Sequence, residues 1–220
     1  MIEPMLSQLH LKKRSDLHLA RKVWHVITVF LMFLTYRYTP DLVSKSILVI
    51  ASCIFVPVDI FRHKFSALND FLVHFFRPVL RVNEVNRLAG TTYLLIGVML
   101  VTFLLPRPIV SLTLLFLAFA DPFASFIGIR YGKDKIFGQK TIQGFMAAYL
   151  VCFLCSLIFL YSTSVPQDRL IVFSLFAGLI GALAELVPVG NLDDNLTLPV
   201  LSGAGLYVLF IIFGFLETVF

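Results

Sequence analysis

Four carboxylates stand where an oily chain has least reason to carry them: Asp121, Glu185, Asp193 and Asp194. Asp121 lies inside the apolar run "LAFADPFASFIGIRYGKDKIFGQKTIQG", Glu185 near the end of another, and Asp193 and Asp194 side by side in "GNLDDNLTLP". An acid within a membrane segment is expensive and marks function by default. The bases have a pattern too. In "HLARKVWH", His18, Arg21, Lys22 and His25 recur at i, i+3, i+4 and i+7, which on a helix makes one polar stripe. Snorkelling at a helix end would account for Arg21 and Lys22. It leaves His25, a turn deeper, unexplained, and a phosphate-binding stripe accounts for all of them.

Ser125, Gly128 and Gly132 fall near the same helical face as Asp121, and small residues there leave room either for a ligand or for a close-packed helix. The loop beyond offers Gly132, Lys133, Lys135, Gly138, Lys140 and Thr141. Glycines beside lysines suit phosphate oxygens, although the spacing is not that of a Walker A loop. Gly178, Gly181, Ala182 and Glu185 repeat the device of an acid on a small-residue stripe. Asp121, Glu185, Asp193 and Asp194, set against Arg21, Lys22, Lys133 and Lys140, match a metal–polyphosphate site. Carboxylates would hold Mg²⁺ through oxygen while basic groups neutralise phosphates. Structural ion pairs are the alternative, but they would scatter over both membrane faces.

The elements that position these residues are helices in a bilayer. The chain has 220 residues, 59% of them hydrophobic and 14% charged, with 23 Phe and a mean hydropathy of +0.91. Soluble domains carry about twice that share of charge. Seven apolar stretches can be drawn, at 23–38, 42–60, 91–105, 109–129, 142–161, 170–188 and 198–219. Only helices satisfy the backbone in lipid without closing a barrel. The expected fold is therefore an all-α, polytopic transmembrane bundle of about seven spans, in a single domain over 1–220. Phe65, Leu68, Leu72, Phe75, Phe76 and Val79 add an amphipathic helix lying along the interface.

Orientation follows from Lys and Arg. Lys12, Lys13, Arg14, Arg21 and Lys22, then Arg62, Lys64, Arg77, Arg81 and Arg87, then Arg130, Lys133, Lys135 and Lys140 share one face. The other has Arg37, Arg107 and Arg169, with Lys45 just inside. The positive-inside rule puts the rich face, residues 1–20 and the 189–197 turn in the cytosol. Asp59, Arg62 and Lys64 read as topological, and Thr91 and Thr92 as N-cap residues of the third span. Cys53, Cys152 and Cys155 all fall in apolar runs and read as packing. Nothing matches a serine-hydrolase or zinc-protease motif, and no nucleic-acid partner is expected.

"RKVWH", "GTTYLLIG", "ADPFASFIGIRYGKDKIFGQKTIQG" and "AELVPVGNLDDNLTLP", in that order, resemble the CTP-dependent lipid kinases, which include dolichol kinase, phytol kinase and yeast-type diacylglycerol kinase. The resemblance runs from residue 21 to about 203. It implies transfer of the γ-phosphoryl group of CTP to a lipid alcohol, with a divalent metal. Arg21, Lys22 and His25 match the amino-terminal block, Asp121, Gly128, Gly132, Lys133 and Lys140 the nucleotide block, and Glu185, Asp193, Asp194 and Asn195 the last. One departure is Ala120 before the central Asp, where the family often has Gly. On this reading Asp121, Asp193, Asp194 and Glu185 serve the metal. Arg21, Lys22, Ser125, Gly128, Gly132, Lys133, Lys140 and Asn195 serve the nucleotide. Asp121, Asp193, Asp194 and His25 serve the chemistry, and His25 or an aspartate would take the hydroxyl proton. The enzyme would work in a bacterial inner membrane or in the ER. A cytidylyltransferase making a CDP-lipid, and a transporter using Asp121 and Glu185 as ion sites, are the rivals.

Overall fold

A computed structural model describes residues 18–163 and 165–216; Lys12, Lys13 and Arg14 lie outside the described residues. The elements are α1 (Leu19–Tyr38), α2 (Asp41–Arg62), α3 (Ser66–Phe75), α4 (Gly90–Leu104), α5 (Arg107–Tyr131), β1 (Lys135–Phe137), β2 (Lys140–Thr141), α6 (Ile142–Tyr161), α7 (Gln167–Leu186) and α8 (Asp194–Phe213). A 3₁₀ turn, Val82–Glu84, lies between α3 and α4. Among the described residues, six helices are long and apolar enough to cross a membrane. The seventh, α4, has 15 residues and spans about 22 Å at 1.5 Å per residue, short of a hydrocarbon core of about 30 Å. The protein is an all-helical, multi-pass membrane bundle.

At its centre stands α5, whose residues from Pro108 to Ala118 are all buried. A helix apolar on every side can be stable only when surrounded, and α1, α6 and α8 surround it. Glycines permit close approach elsewhere. A Cβ on Gly181 would lie 2.4 Å from Cys152 Sγ and 2.8 Å from Phe116, and one on Gly97 would lie 3.0 Å from the Asn195 carbonyl and from Pro199. The stripe of Gly178 and Gly181 is thus the seam of α7 against α6 and α5, and Glu185 follows it at the helix end. Cys152 packs in that seam, as expected of it.

Three local expectations change. The polar turn before the last helix is shorter than the sequence indicates. Asp193 is the N-cap of α8, its side chain accepting from the Asn195 N–H at 3.1 Å, so Asp194 and Asn195 belong to the first turn. A short acid in extended backbone satisfies an orphan N–H there, and the helix continues through Pro199. The third span starts otherwise too: Ala89 is the N-cap of α4, and the Thr92 hydroxyl donates to Asp59 Oδ2 at 2.6 Å. Asp59 and Arg62 are not surface anchors but 7% and 3% exposed. They stitch the 63–89 segment to α2 because burial demands that each charge find partners.

The interfacial helix is present and short. α3 buries Val73, which joins Leu80 and Val85 with Phe76 against them, while Phe65, Phe71 and Phe75 are exposed. The chain turns after Phe75, so Phe76 and Val79 leave the helix that their spacing predicts. The basic loop after α5 forms a small antiparallel hairpin, with Gly138 at φ 54° between its strands; that backbone favours glycine.

Candidate active site

One polar cleft gathers residues from four parts of the chain: His18, Arg21, Lys22 and His25 of α1 and its lead-in; Arg81; Asp121, Pro122 and Ser125 of α5; and Asp193, Asp194 and Asn195 at the start of α8. The α1 stripe is what helical spacing predicts. Arg21 is held bidentate by Glu84, Nη1 to Oε2 at 2.6 Å and Nη2 to Oε1 at 2.8 Å, and donates from Nη1 to the Val79 carbonyl at 2.9 Å. Lys22 Nζ donates to Ser125 Oγ at 2.5 Å. Pro122 has no N–H for the Ala118 carbonyl, and its ring crowds that carbonyl. Beside this break in the ladder, His25 Nε2 lies 2.9 Å from the Leu117 carbonyl. A carbonyl only accepts, so Nε2 carries the proton and Nδ1 is the nitrogen left to accept in the neutral ring.

Asp121 lies in the field of His25, Lys140, Arg81 and Lys22, and among the described residues its carboxylate accepts no hydrogen bond. Arg81 lines the same cleft and forms no ion pair among the described residues. Asp193 is shifted upward, chiefly by burial and also by the charge of Asp194; its bond from the Asn195 N–H opposes that. Asn195 is buried, and its Nδ2 donates to the Gly90 carbonyl at 3.2 Å, tying α8 to α4.

Lys140 takes another position. Its ammonium donates to the Glu185 carboxylate, to the Glu185 carbonyl at 2.9 Å and to Asp194 Oδ2 at 3.2 Å. An ammonium has three donors, so this one joins the C-terminal end of α7 to the N-terminal end of α8. Burial would lower the Lys140 pKa, but the charges of Glu185, Asp194 and Asp121 raise it above the ordinary lysine value. Glu185 is 3% exposed and stands behind the cleft rather than in its lining. Gly128 and Gly132 likewise serve packing: a Cβ on either would meet the Thr141 hydroxyl, at 3.1 and 2.8 Å. Thr141 in turn caps α6, its Oγ1 accepting from Gly144 N–H at 3.2 Å. Lys133 is exposed, with its main-chain N–H on Gln143 Oε1 at 3.1 Å, and is not brought into the cleft.

Two residues matter more here than their sequence positions indicate. Arg81 reads as one topological charge among several, and Glu84 attracts no notice. The available signal was the one acid in the basic stretch 77–87, three residues after Arg81.

Mg²⁺ needs only one or two protein carboxylates when phosphates and water complete its octahedron. Among the described residues, no group of three or more His, Cys, Asp or Glu forms a self-contained metal site. The donor set fits the lesser demand, because Asp121 accepts no hydrogen bond from the described residues and faces the same cleft as Asp193 and Asp194.

No family model matches the chain, and no solved structure matches it. Named proteins do. CTP-dependent diacylglycerol kinase 1 of Schizosaccharomyces pombe is 32% identical over 168 residues, covering 70% of this chain and 77% of the relative. The protein of the same name from Saccharomyces cerevisiae is 24% identical, over 90% of this chain and 77% of the relative. An uncharacterized protein of Rickettsia prowazekii is 26% identical, over 84% and 90%. With a cleft of converging acids and bases at one end of a membrane bundle, and this identity over most of both chains, the protein belongs to the CTP-dependent lipid kinase family.

Proposed function

We propose that the cleft binds the triphosphate of CTP with a divalent cation and transfers the γ-phosphoryl group to the hydroxyl of a diacylglycerol at the cytosolic membrane face. The observation that carries this reading is the convergence of Arg21, Lys22 and Arg81 with Asp121, Asp193 and Asp194 on one cleft. Phosphoryl transfer asks a protein mainly for positioning and charge stabilisation, and that set supplies both. Arg21, Lys22 and Arg81 neutralise the phosphates. Asp121, with Asp193 or Asp194, would hold Mg²⁺, which when bound would supply positive charge to stabilise the transferring phosphoryl group. Lys140 and Glu185 hold Asp194 in position from behind. Asn195, through Nδ2 on the Gly90 carbonyl, fixes the start of α8 and its two aspartates against α4.

In the transfer, the acceptor oxygen bonds to the γ-phosphorus, the bond to the β-phosphate oxygen breaks, and CDP leaves. The acceptor proton passes to His25 Nδ1 or to an aspartate of the cleft. The acceptor's tail would lie on an apolar surface close to the cleft. On the other side of α1 an apolar groove is lined by Leu19, Ala20, Val23, Trp24, Ile27 and Val79. Val79 of that groove is tied to the cleft's Arg21, which donates to its carbonyl. Diacylglycerol as acceptor rests on the names of the yeast relatives. The cytosolic side rests on the asymmetry of Lys and Arg.

The test is transfer from γ-labelled CTP or ATP, with purified protein, to a panel of diacylglycerol, polyprenol, dolichol and phytol. Labelled phosphatidate with CDP as co-product is expected. Release of pyrophosphate would instead make the enzyme a cytidylyltransferase, and label on a polyprenol alone would overturn the acceptor.

A further inference from the structure

Glu84 lies outside the lining of the cleft, yet its carboxylate holds together the groups that form one wall. Both oxygens grip the Arg21 guanidinium, at 2.6 and 2.8 Å. Oε2 also accepts the Arg81 main-chain N–H at 2.9 Å, and Oε1 the Gly90 N–H at 3.1 Å. Glu84 is 6% exposed, and it is braced from behind because Arg62 Nη2 donates to its carbonyl at 2.6 Å. A Cβ on Gly90 would stand 2.6 Å from Arg21 Nη2, 2.8 Å from Asn195 Nδ2 and 3.2 Å from Glu84 Oε1. The space at residue 90 is therefore reserved for this arrangement.

A bidentate carboxylate fixes both the place and the plane of a guanidinium. With Nη1 occupied by Glu84 and Val79, and one Nη2 hydrogen on Glu84, Arg21 keeps its Nε–H and one Nη2–H for a ligand. The same carboxylate sets the backbone from which the Arg81 side chain enters the cleft. We propose that Glu84 is a positioning residue for the nucleotide, acting through Arg21 and Arg81 so that both cations meet the triphosphate together. The proposal rests on the kinase reading given above.

Steady-state transfer from CTP to diacylglycerol tests it with wild type, Glu84→Gln, Glu84→Asp, Arg21→Gln and the double variant Arg21→Gln/Glu84→Gln. Glu84→Gln should raise KM for CTP about tenfold or more, the scale of a charge-assisted hydrogen bond. The KM for lipid should stay unchanged, and kcat per folded molecule should move by less than about threefold. Glu84→Asp should recover part of the loss, and the double variant should raise KM by less than the product of the two single effects, because the part of Glu84's action that runs through Arg21 is already gone while the part through Arg81 remains. Gly90→Ala, which displaces Arg21 or Asn195 without removing a charge, should also raise KM for CTP and supplies the test if Glu84→Gln does not fold. A wild-type KM in the folded fraction of Glu84→Gln or of Gly90→Ala, or effects of Arg21 and Glu84 that multiply, would overturn the proposal and leave the kinase reading intact. A wild-type protein unable to use CTP would overturn both.

Discussion

Two clusters of charge meet at Glu84 and are built on opposite principles. Around Arg62 the set is closed. Nε donates to Asp59 Oδ1 at 2.6 Å, Nη1 to Asn69 Oδ1 at 2.7 Å and the Val85 carbonyl at 3.4 Å, and Nη2 to the Glu84 and Arg87 carbonyls at 2.6 and 2.7 Å. The other Asp59 oxygen takes the Ala89 N–H at 2.8 Å and the Thr92 hydroxyl at 2.6 Å. In the cleft the set is open. Asp121 accepts no hydrogen bond among the described residues, Lys22 has one donor on Ser125, and Arg21 keeps two N–H groups. A closed cluster has nothing left for a ligand and serves to join chain segments. An open one stays charged toward a space that phosphates and a cation can fill. Burial and charge alone do not separate structure from function; unused donors and acceptors do.

The largest effect expected is on the closed side. Arg62→Ala leaves Asp59 buried without its cation and should cost about 3–5 kcal/mol, read as a lowered denaturant midpoint in detergent. On the open side, Ser125→Ala removes the hydroxyl that orients Lys22. It should raise KM for CTP about fivefold, near 1 kcal/mol, with the midpoint unmoved. Glu84, between the two, gives a pH signature. Burial would raise its pKa, but the Arg21 guanidinium outweighs that and holds it below the ordinary 4.5. Its stabilisation is therefore complete above the unfolded value and is lost as pH falls through the folded one. Acid unfolding curves should steepen below pH 4.5 in wild type and flatten in Glu84→Gln. Smallest of all, Lys133→Ala should change stability by less than about 0.5 kcal/mol and leave KM for CTP unchanged, because that side chain lies exposed on the hairpin.

Much of this is legible in the sequence because membrane helices are written in simple periods. All seven apolar stretches correspond to helices, and the stripe His18, Arg21, Lys22 and His25 does line one cleft. What is not legible shares a cause. Helical spacing identifies a face but not what the face meets, so Gly128 and Gly132, which pack on Thr141, look the same as residues that would admit a ligand. Lys140 reads as a phosphate cation because its acceptors, Glu185 and Asp194, lie 45 and 54 residues away. Glu84 is invisible for the same reason: its partner Arg21 is 63 residues distant. Asp59 and Arg62 read as interfacial because nothing local reveals that the 63–89 segment folds over them.

One side-by-side measurement tests the contrast most directly: transfer from γ-labelled CTP to diacylglycerol, and the unfolding midpoint, for Asp121→Asn and Asp59→Asn. Asp121→Asn should lower transfer about 100-fold or more while keeping the wild-type midpoint. Asp59→Asn should lower the midpoint while each folded molecule keeps its transfer rate. Wild-type transfer by Asp121→Asn would contradict the assignment of the open cluster as the site of phosphoryl transfer.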